Sequence, residues 1–286
     1  MMFTYSTKES EFSFLILFDF SNASYKALDY LIKLAKTVDG EIEIFCIIDP
    51  SGIADSDNQV AALRAIQTEK KRIERKLNSI VEMIKLEGVE TCSAYSIGNL
   101  KSELKLKLAQ AKPDIVVMGK RKKGANRLLN YLVNECQEAV LILGQESKFL
   151  KGNKITIGYN DDTLDKYDFQ LISKFSQLSQ TPLTLLKITS PLEKEDLIKL
   201  STIPPVSDQI DLFFRFEYKN SSNVANALLE NATDSNAELL CIGRSKFKNT
   251  LSQYFFNNST AFKIAKNIKT PLLIMSRKNG KTSSNI

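Results

Sequence analysis

The chain has 286 residues, 43% of them hydrophobic and 25% charged, and a formal net charge of +6 at pH 7. That composition is typical of a soluble globular protein, and no apolar run reaches the roughly 18 residues of a membrane-spanning helix. The first residues carry charge without the apolar core of a signal peptide, and the four cysteines form no CxxC pair. These features predict a cytoplasmic protein with reduced, unpaired thiols and no contact with a membrane.

Histidine is absent from the whole chain. This excludes Ser/His/Asp and Cys/His catalysis and the HExxH zinc site, because each of them needs an imidazole. The modest positive charge does not favour a nucleic-acid binder, for which a concentrated basic face is expected. Composition therefore indicates a binding protein rather than a catalyst, and we assign no catalytic residue and no metal ligand.

The first half of the chain alternates short apolar runs with segments of helical period. The pattern predicts strands over 14–18, 42–48, 89–95, 115–118 and 140–143. It predicts helices over 22–36, 58–86, 100–111 and 128–136, with Ser21 as the N-cap of the first. Strands that alternate with helices in this way indicate a parallel sheet covered on both faces.

The same order of elements then begins again near Lys154. Strands are predicted over 154–159, 183–188, 212–218, 238–242 and 271–275, and helices over 164–178 and 224–232. A shorter segment near 193–200 and the stretch 203–205 replace the long helix, and the tail after Met275 reads as disordered. The repeat predicts an α/β protein of two tandem doubly wound domains, 1–147 and 153–278. We expect two separate five-stranded parallel sheets that form an internal pseudo-dimer about an approximate two-fold axis.

A ligand crevice in such a sheet lies beyond the carboxyl ends of the first and fourth strands. In the first half this position holds Asp19 and the loop residues Gly119, Lys120, Arg121, Lys122 and Gly124. In the second half it holds Asn160, Gly243 and Arg244. Asp19 is either a ligand for a ribose or base or a cap for the first helix. The basic loop is a solvated turn, a phosphate site or a nucleic-acid contact, and the pattern leaves all three open.

Several segments at these positions resemble the universal stress protein family. FLILFDFSNASYKALDYLIKLAK is similar to the opening strand, turn and helix of that family, and SIGNLKSEL to the turn before its third helix. PDIVVMGKRKKG and AELLCIG resemble its fourth strand, and KIAKNIKTPLLIM its closing helix and strand. Each half of the chain carries the resemblance, so that it covers nearly the whole chain. It implies the family's fold and a role in stress response.

ATP-binding members of that family carry a glycine, two residues, a second glycine, nine residues, and then Gly followed by Ser or Thr. Glycines let backbone N–H groups approach the phosphates, and the helix N-terminus completes the anion site. The first half keeps Asp19 and Gly119 but has Lys122 at the second glycine. Strict spacing then reaches 132–133 (Leu-Val), whereas alignment from the last strand reaches 126–127 (Asn-Arg). Neither pair supplies the small residue and the hydroxyl.

The second half keeps a different part of the pattern. It has Gly243 and, after a two-residue insertion, Asn258 and Ser259, but Asn160 stands where the family has Asp. Ser259 is either the surviving phosphate hydroxyl or simply an early helix residue. Each half therefore holds only part of a nucleotide site.

These observations predict a binding or regulatory protein of the stress response with degenerate nucleotide sites. We expect no resident cofactor, at most weak ATP binding, and an unidentified protein partner, with a homodimer left open. The alternative is a working ATP-binding protein with slow hydrolysis or nucleotide-gated switching. A nucleic-acid accessory protein that uses the basic loop is a third and less favoured interpretation.

Overall fold

The computed structural model describes residues 10–49, 59–121, 126–149, 152–159, 166–189, 214–244 and 258–276. The segment predicted near 193–200, the stretch 203–205 and residues 277–286 of the tail lie outside this described part. In the first half, the strands are β1 (Phe12–Leu17), β2 (Gly40–Ile48), β3 (Thr91–Ile97), β4 (Ile115–Gly119) and β5 (Ala139–Leu143). The helices are α1 (Asn22–Val38), α2 (Gln59–Leu86), α3 (Leu100–Ala111) and α4 (Asn126–Asn134).

The second half repeats the strand series with fewer described helices. Its strands are β6 (Ile155–Tyr159), β7 (Leu183–Thr189), β8 (Phe214–Asn220), β9 (Leu239–Ile242) and β10 (Leu272–Ile274). Its helices are α5 (Lys166–Ser179), α6 (Val224–Asp234) and α7 (Asn258–Asn267). The predicted elements that fall on described residues are present, with ends shifted by a few residues. For example, β3 begins at Thr91 because the Val89 N–H still bonds to the Ile84 carbonyl at the end of α2.

The predicted α/β class is confirmed, and the five strands of the first half pair in parallel as expected. The expectation of two separate sheets is wrong. The strands form one ten-stranded sheet in the order β3-β2-β1-β4-β5-β10-β9-β6-β7-β8. The two sets of five join where β5 and β10 pair antiparallel, with Leu141 opposite Leu273.

The strand order reads the same from either end when each strand is replaced by its counterpart in the other half. Antiparallel pairing of two equivalent edge strands is the arrangement that a two-fold axis produces. We call the line between β5 and β10, with the helices that meet over it, the seam. The domain limits predicted at 147 and 153 remain a prediction.

Each face of the sheet carries a hydrophobic core that crosses the seam. The core on one face combines residues of α1, α2 and α5, and the core on the other combines residues of α3, α4, α6 and α7. On the first face, the rings of Phe12 in β1 and Phe175 in α5 lie 6.0 Å apart, edge to face. Because apolar residues of both halves share each core, burial stabilises the halves together.

Gly119 ends β4 at a point where the chain touches the first turn of α1. A Cβ on this residue would lie 2.2 Å from the carbonyl oxygen of Ala23 and 3.0 Å from the backbone nitrogen of Ser24. Both of these atoms belong to the backbone, so neither can move aside by a change of rotamer. Glycine at this position therefore lets β4 and α1 approach closely.

We expect Gly119→Ala to lower the free energy of unfolding by about 1–3 kcal/mol, the usual cost of overpacking. The matched control is Gly144→Ala, just after the neighbouring strand β5. Its added Cβ would meet nothing closer than 3.4 Å, so the change should stay within about 0.5 kcal/mol. Urea denaturation measures both values. Equal values for the two variants would contradict the packing assigned to Gly119.

All four cysteines are free thiols, as predicted, and three of them are buried. Burial raises the pKa of Cys46 to about 11 and that of Cys136 to about 12. The pKa of Cys241 also lies far above its ordinary value, again through burial. Cys92 is the exposed member of the set.

The pKa of Cys92 is also raised by partial burial, but only this thiol is exposed to a reagent. Only Cys92 should therefore react quickly with an aromatic disulfide reagent in the native protein. After denaturation without reductant, all four thiols should react, since none is paired. Absorbance of the released aromatic thiol counts both stages. A denatured count below four, or fast reaction of a second native thiol, would contradict the arrangement.

Candidate functional site

A cleft opens at the carboxyl ends of β1 and β4, where the sequence predicts a ligand crevice. Its volume is about 250 Å³. Most of its wall is apolar, and its polar groups come from Asp19, Ser24, Arg121 and Arg127. The apolar wall consists of Leu17, Phe18, Phe45, Ile47, Leu100, Met118 and Leu128. An apolar body with an anionic group is the kind of ligand that such a wall and two guanidinium groups can hold.

Asp19 stands between the end of β1 and the first turn of α1. Its Oδ1 accepts a hydrogen bond from the Ser21 N–H at 2.9 Å and lies 2.9 Å from the Ser24 hydroxyl. Ser21 itself caps α1, as predicted, by accepting from the Ser24 N–H. Asp19 thus supports the helix start and also reaches the cleft.

Arg121 lies opposite Asp19 at the mouth of the cleft, and its guanidinium donates to Asp19 Oδ2. Burial alone would raise the pKa of the Asp19 carboxyl, but the bonds from Ser21 and Ser24 and the charge of Arg121 outweigh it and hold that pKa below its ordinary value. The two side chains are each about half exposed, at 45% for Arg121 and 46% for Asp19. The carboxylate is therefore ionised and engaged at neutral pH.

The start of α4 bears on the two alignments of the family pattern. Leu132 and Val133, which strict spacing selects, are fully buried inside α4. Asn126 and Arg127 open that helix, just as Asn258 and Ser259 open α7 in the second half. The helix starts therefore favour the alignment from the last strand, which puts Asn126-Arg127 opposite the family's Gly-Ser step.

Arg127 is a cleft residue that the sequence analysis did not assign. It appeared there only as the residue that replaces a hydroxyl. The structure places it on the wall of the cleft, at the N-terminus of α4. Its place in the alignment from the last strand was the signal that could have identified it.

The side chain of Lys120 points away from the cleft and caps the C-terminus of α7, a helix of the second half. Its Nζ donates to the carbonyl oxygens of Ala265, Lys266 and Ile268, at 3.2, 2.9 and 2.8 Å. These carbonyls belong to the last turn of α7 and the residue that follows it, where a cation is favoured by the helix dipole. Burial lowers the pKa of this ammonium group.

Arg244 makes the corresponding contact in the opposite direction. It follows Gly243 after β9, as Lys120 follows Gly119 after β4. Its side chain is only 3% exposed. It donates to the carbonyl of Leu132 in the last turn of α4 at 3.1 Å, and to those of Cys136 and, at 3.4 Å, Glu138 in the segment that leads from α4 to β5. The two basic residues therefore cap each other's closing helices across the seam.

The remaining candidates are Lys122, Gly124 and Asn160, which lie outside the described residues, as do the side chains of Asn258 and Ser259. Within the described ranges, no cluster of three or more His, Cys, Asp or Glu side chains is placed to hold a metal ion. In the same ranges, no helix has both the length and the apolar character to cross a membrane.

Comparison with solved structures supports the fold over nearly the full chain. A universal stress protein from Archaeoglobus fulgidus is 15% identical and superimposes with a TM-score of 0.72, over 95% of this chain and 98% of that one. A putative universal stress protein from Pseudomonas aeruginosa is 13% identical, with a TM-score of 0.55 over 92% of each chain. The cytoplasmic domain of a prokaryotic cation chloride cotransporter is 12% identical, with a TM-score of 0.52 over 94% of this chain and 96% of that one.

A search of curated protein sequences found no significant relative. At the sequence level, residues 13–143 match the Universal stress protein family. The matched range runs from β1 to the last residue of β5 and includes the whole cleft. The first half of the chain therefore matches the universal stress protein family in sequence, and its fold is that of solved universal stress proteins.

Proposed function

We propose that this chain is a non-catalytic binding or regulatory protein of the stress response whose nucleotide-type clefts are degenerate and bind ATP only weakly. The observation that carries the proposal is the ion pair of Asp19 and Arg121 at the mouth of the first-half cleft. The two groups that would meet a nucleotide there already satisfy each other. A ligand must separate them or bind beside them.

The use of Lys120 supports the same proposal. Its ammonium group is held by three carbonyls of the second half, so it is not free to meet a phosphate. The cleft volume of about 250 Å³ also lies below the roughly 300–1,000 Å³ of ordinary ligand pockets. An intact phosphate site needs close backbone approach, which glycine permits and the Asn126-Arg127 step does not provide.

Arg121 and Arg127 attract an anion to the cleft rim, but exposed charges are screened at physiological salt. We therefore expect a dissociation constant for Mg-ATP no better than about 0.1 mM, which corresponds to about −5.5 kcal/mol. Isothermal titration calorimetry at physiological salt measures this value.

The ATP affinity of the Asp19→Ala variant distinguishes a degenerate site from an intact one. If Asp19 serves mainly Arg121 and α1, its removal frees Arg121 and should change the ATP affinity by less than about threefold, the effect of an exposed ion pair. Asp29→Ala is the matched control, because Asp29 is an exposed aspartate on α1 that pairs with Lys33 at 2.8 Å. A micromolar dissociation constant that Asp19→Ala abolishes and Asp29→Ala preserves would instead establish the alternative, a working ATP-binding protein.

A further inference from the structure

Three consecutive residues at the end of β4 contact three different parts of the molecule. The backbone of Gly119 packs against the first turn of α1. The side chain of Lys120 reaches the end of α7 in the second half. The side chain of Arg121 turns back to Asp19 at the cleft. Residues 119–121 therefore connect the cleft to the seam within three residues.

The second cation of the cleft is also linked to the seam. Arg127 lies at the start of α4, a helix of nine residues. Arg244 of the second half holds the last turn of that helix through the carbonyl of Leu132, and it also holds the segment between α4 and β5 through the carbonyls of Cys136 and Glu138. The helix α4 therefore connects the contact made by Arg244 to the wall of the cleft.

We propose that the second half sets the cationic side of the first-half cleft, with Lys120 and Arg244 as positioning residues. Arg121 is one residue from the Lys120 contact, and Arg127 is one helix from the Arg244 contact. Docking of the halves and the conformation of the cleft are then coupled, and coupling of this kind acts equally in both directions. A change at the seam alters the cleft, and a change at the cleft alters the seam.

The strengths of these contacts suit this role. Hydrogen bonds from a charged donor to several carbonyls are stronger than neutral ones, and burial strengthens them further. Arg244 is almost fully buried and Lys120 is partly buried. By contrast, the pair of Asp19 and Arg121 is exposed and therefore weak. The hydrogen bonds at the seam are thus the stronger contacts, and the weaker Asp19–Arg121 pair at the cleft changes when the seam changes.

Amide hydrogen exchange of the full chain, followed by mass spectrometry, tests the coupling without any ligand, so its outcome is independent of ATP affinity. In Lys120→Met, amide exchange of Ala265 to Ile268 should rise about tenfold, as expected for loss of a charged cap. The N-terminus of α1, from the amide of the N-cap Ser21 to that of Ser24, should also exchange faster, by about threefold or more. Exchange in β7 and α3 should stay at the wild-type rate.

Lys26→Met is the control, since Lys26 is an exposed lysine whose Nζ contacts one carbonyl, that of Gln145, at 3.3 Å. It should leave both segments unchanged. Lys120→Arg should keep the wild-type exchange rates, because an arginine, Arg244, makes the equivalent contact from the second half. Faster exchange in α7 alone would mean that Lys120 is only a cap, and a uniform rise in all peptides would mean general loss of stability. Either result would overturn the proposal.

The reverse direction supplies a variant that does not disturb the seam directly. Asp19→Ala removes the partner of Arg121 and leaves every contact of Lys120 in place. Coupling predicts about twofold to threefold faster exchange of Ala265 to Ile268, with Asp29→Ala unchanged. Wild-type exchange of α7 in Asp19→Ala would overturn the coupling even if Lys120→Met failed to fold.

Discussion

The antiparallel pairing of β5 with β10 is the interaction on which the rest of this structure depends. Both strands are fully buried and entirely apolar, with Val140, Leu141 and Ile142 opposite Ile274, Leu273 and Leu272. An apolar strand at the edge of a sheet would expose unpaired backbone groups and invite aggregation. Pairing the two edges removes both of them and brings the ends of α4 and α7 beside each other. The hydrogen bonds of Lys120 and Arg244 across the seam follow from that proximity.

This geometry explains why the basic residues beside the candidate crevices bind backbone carbonyls of the other half. In each half, the basic residue after the fourth strand stands close to the candidate crevice in sequence, yet its side chain bonds to carbonyls of the other half across the seam. Lys120 and Arg244 donate to carbonyls at and just beyond the C-terminal ends of α7 and α4, where helix carbonyls have no partner within the helix. Their engagement there supports the proposal of a degenerate site, in which Asp19 pairs with Arg121 and no free lysine faces the first-half cleft among its described wall residues.

The sequence predicted the strands and helices well because continuous apolar runs and helical periods survive into the structure. It did not predict the single sheet, since the order of strands says nothing about which edges meet. The strands at 140–143 and 271–275 did hold a signal, because an edge strand that is apolar on both faces needs a cover. The roles of Lys120 and Arg244 could not be predicted, because residue type and position do not reveal which way a long side chain turns. Arg127 was missed because the pattern left two alignments open until the start of α4 was known.

The two halves form one structural unit across the seam, and differential scanning calorimetry tests this most directly. If the shared cores and the reciprocal caps act together, the full chain unfolds in one step, and the ratio of van't Hoff to calorimetric enthalpy is about one. Two halves that are merely tethered would unfold separately, and the ratio would fall to about one half. A ratio near one is what the structure predicts, and a ratio near one half, or two resolved transitions, would contradict it.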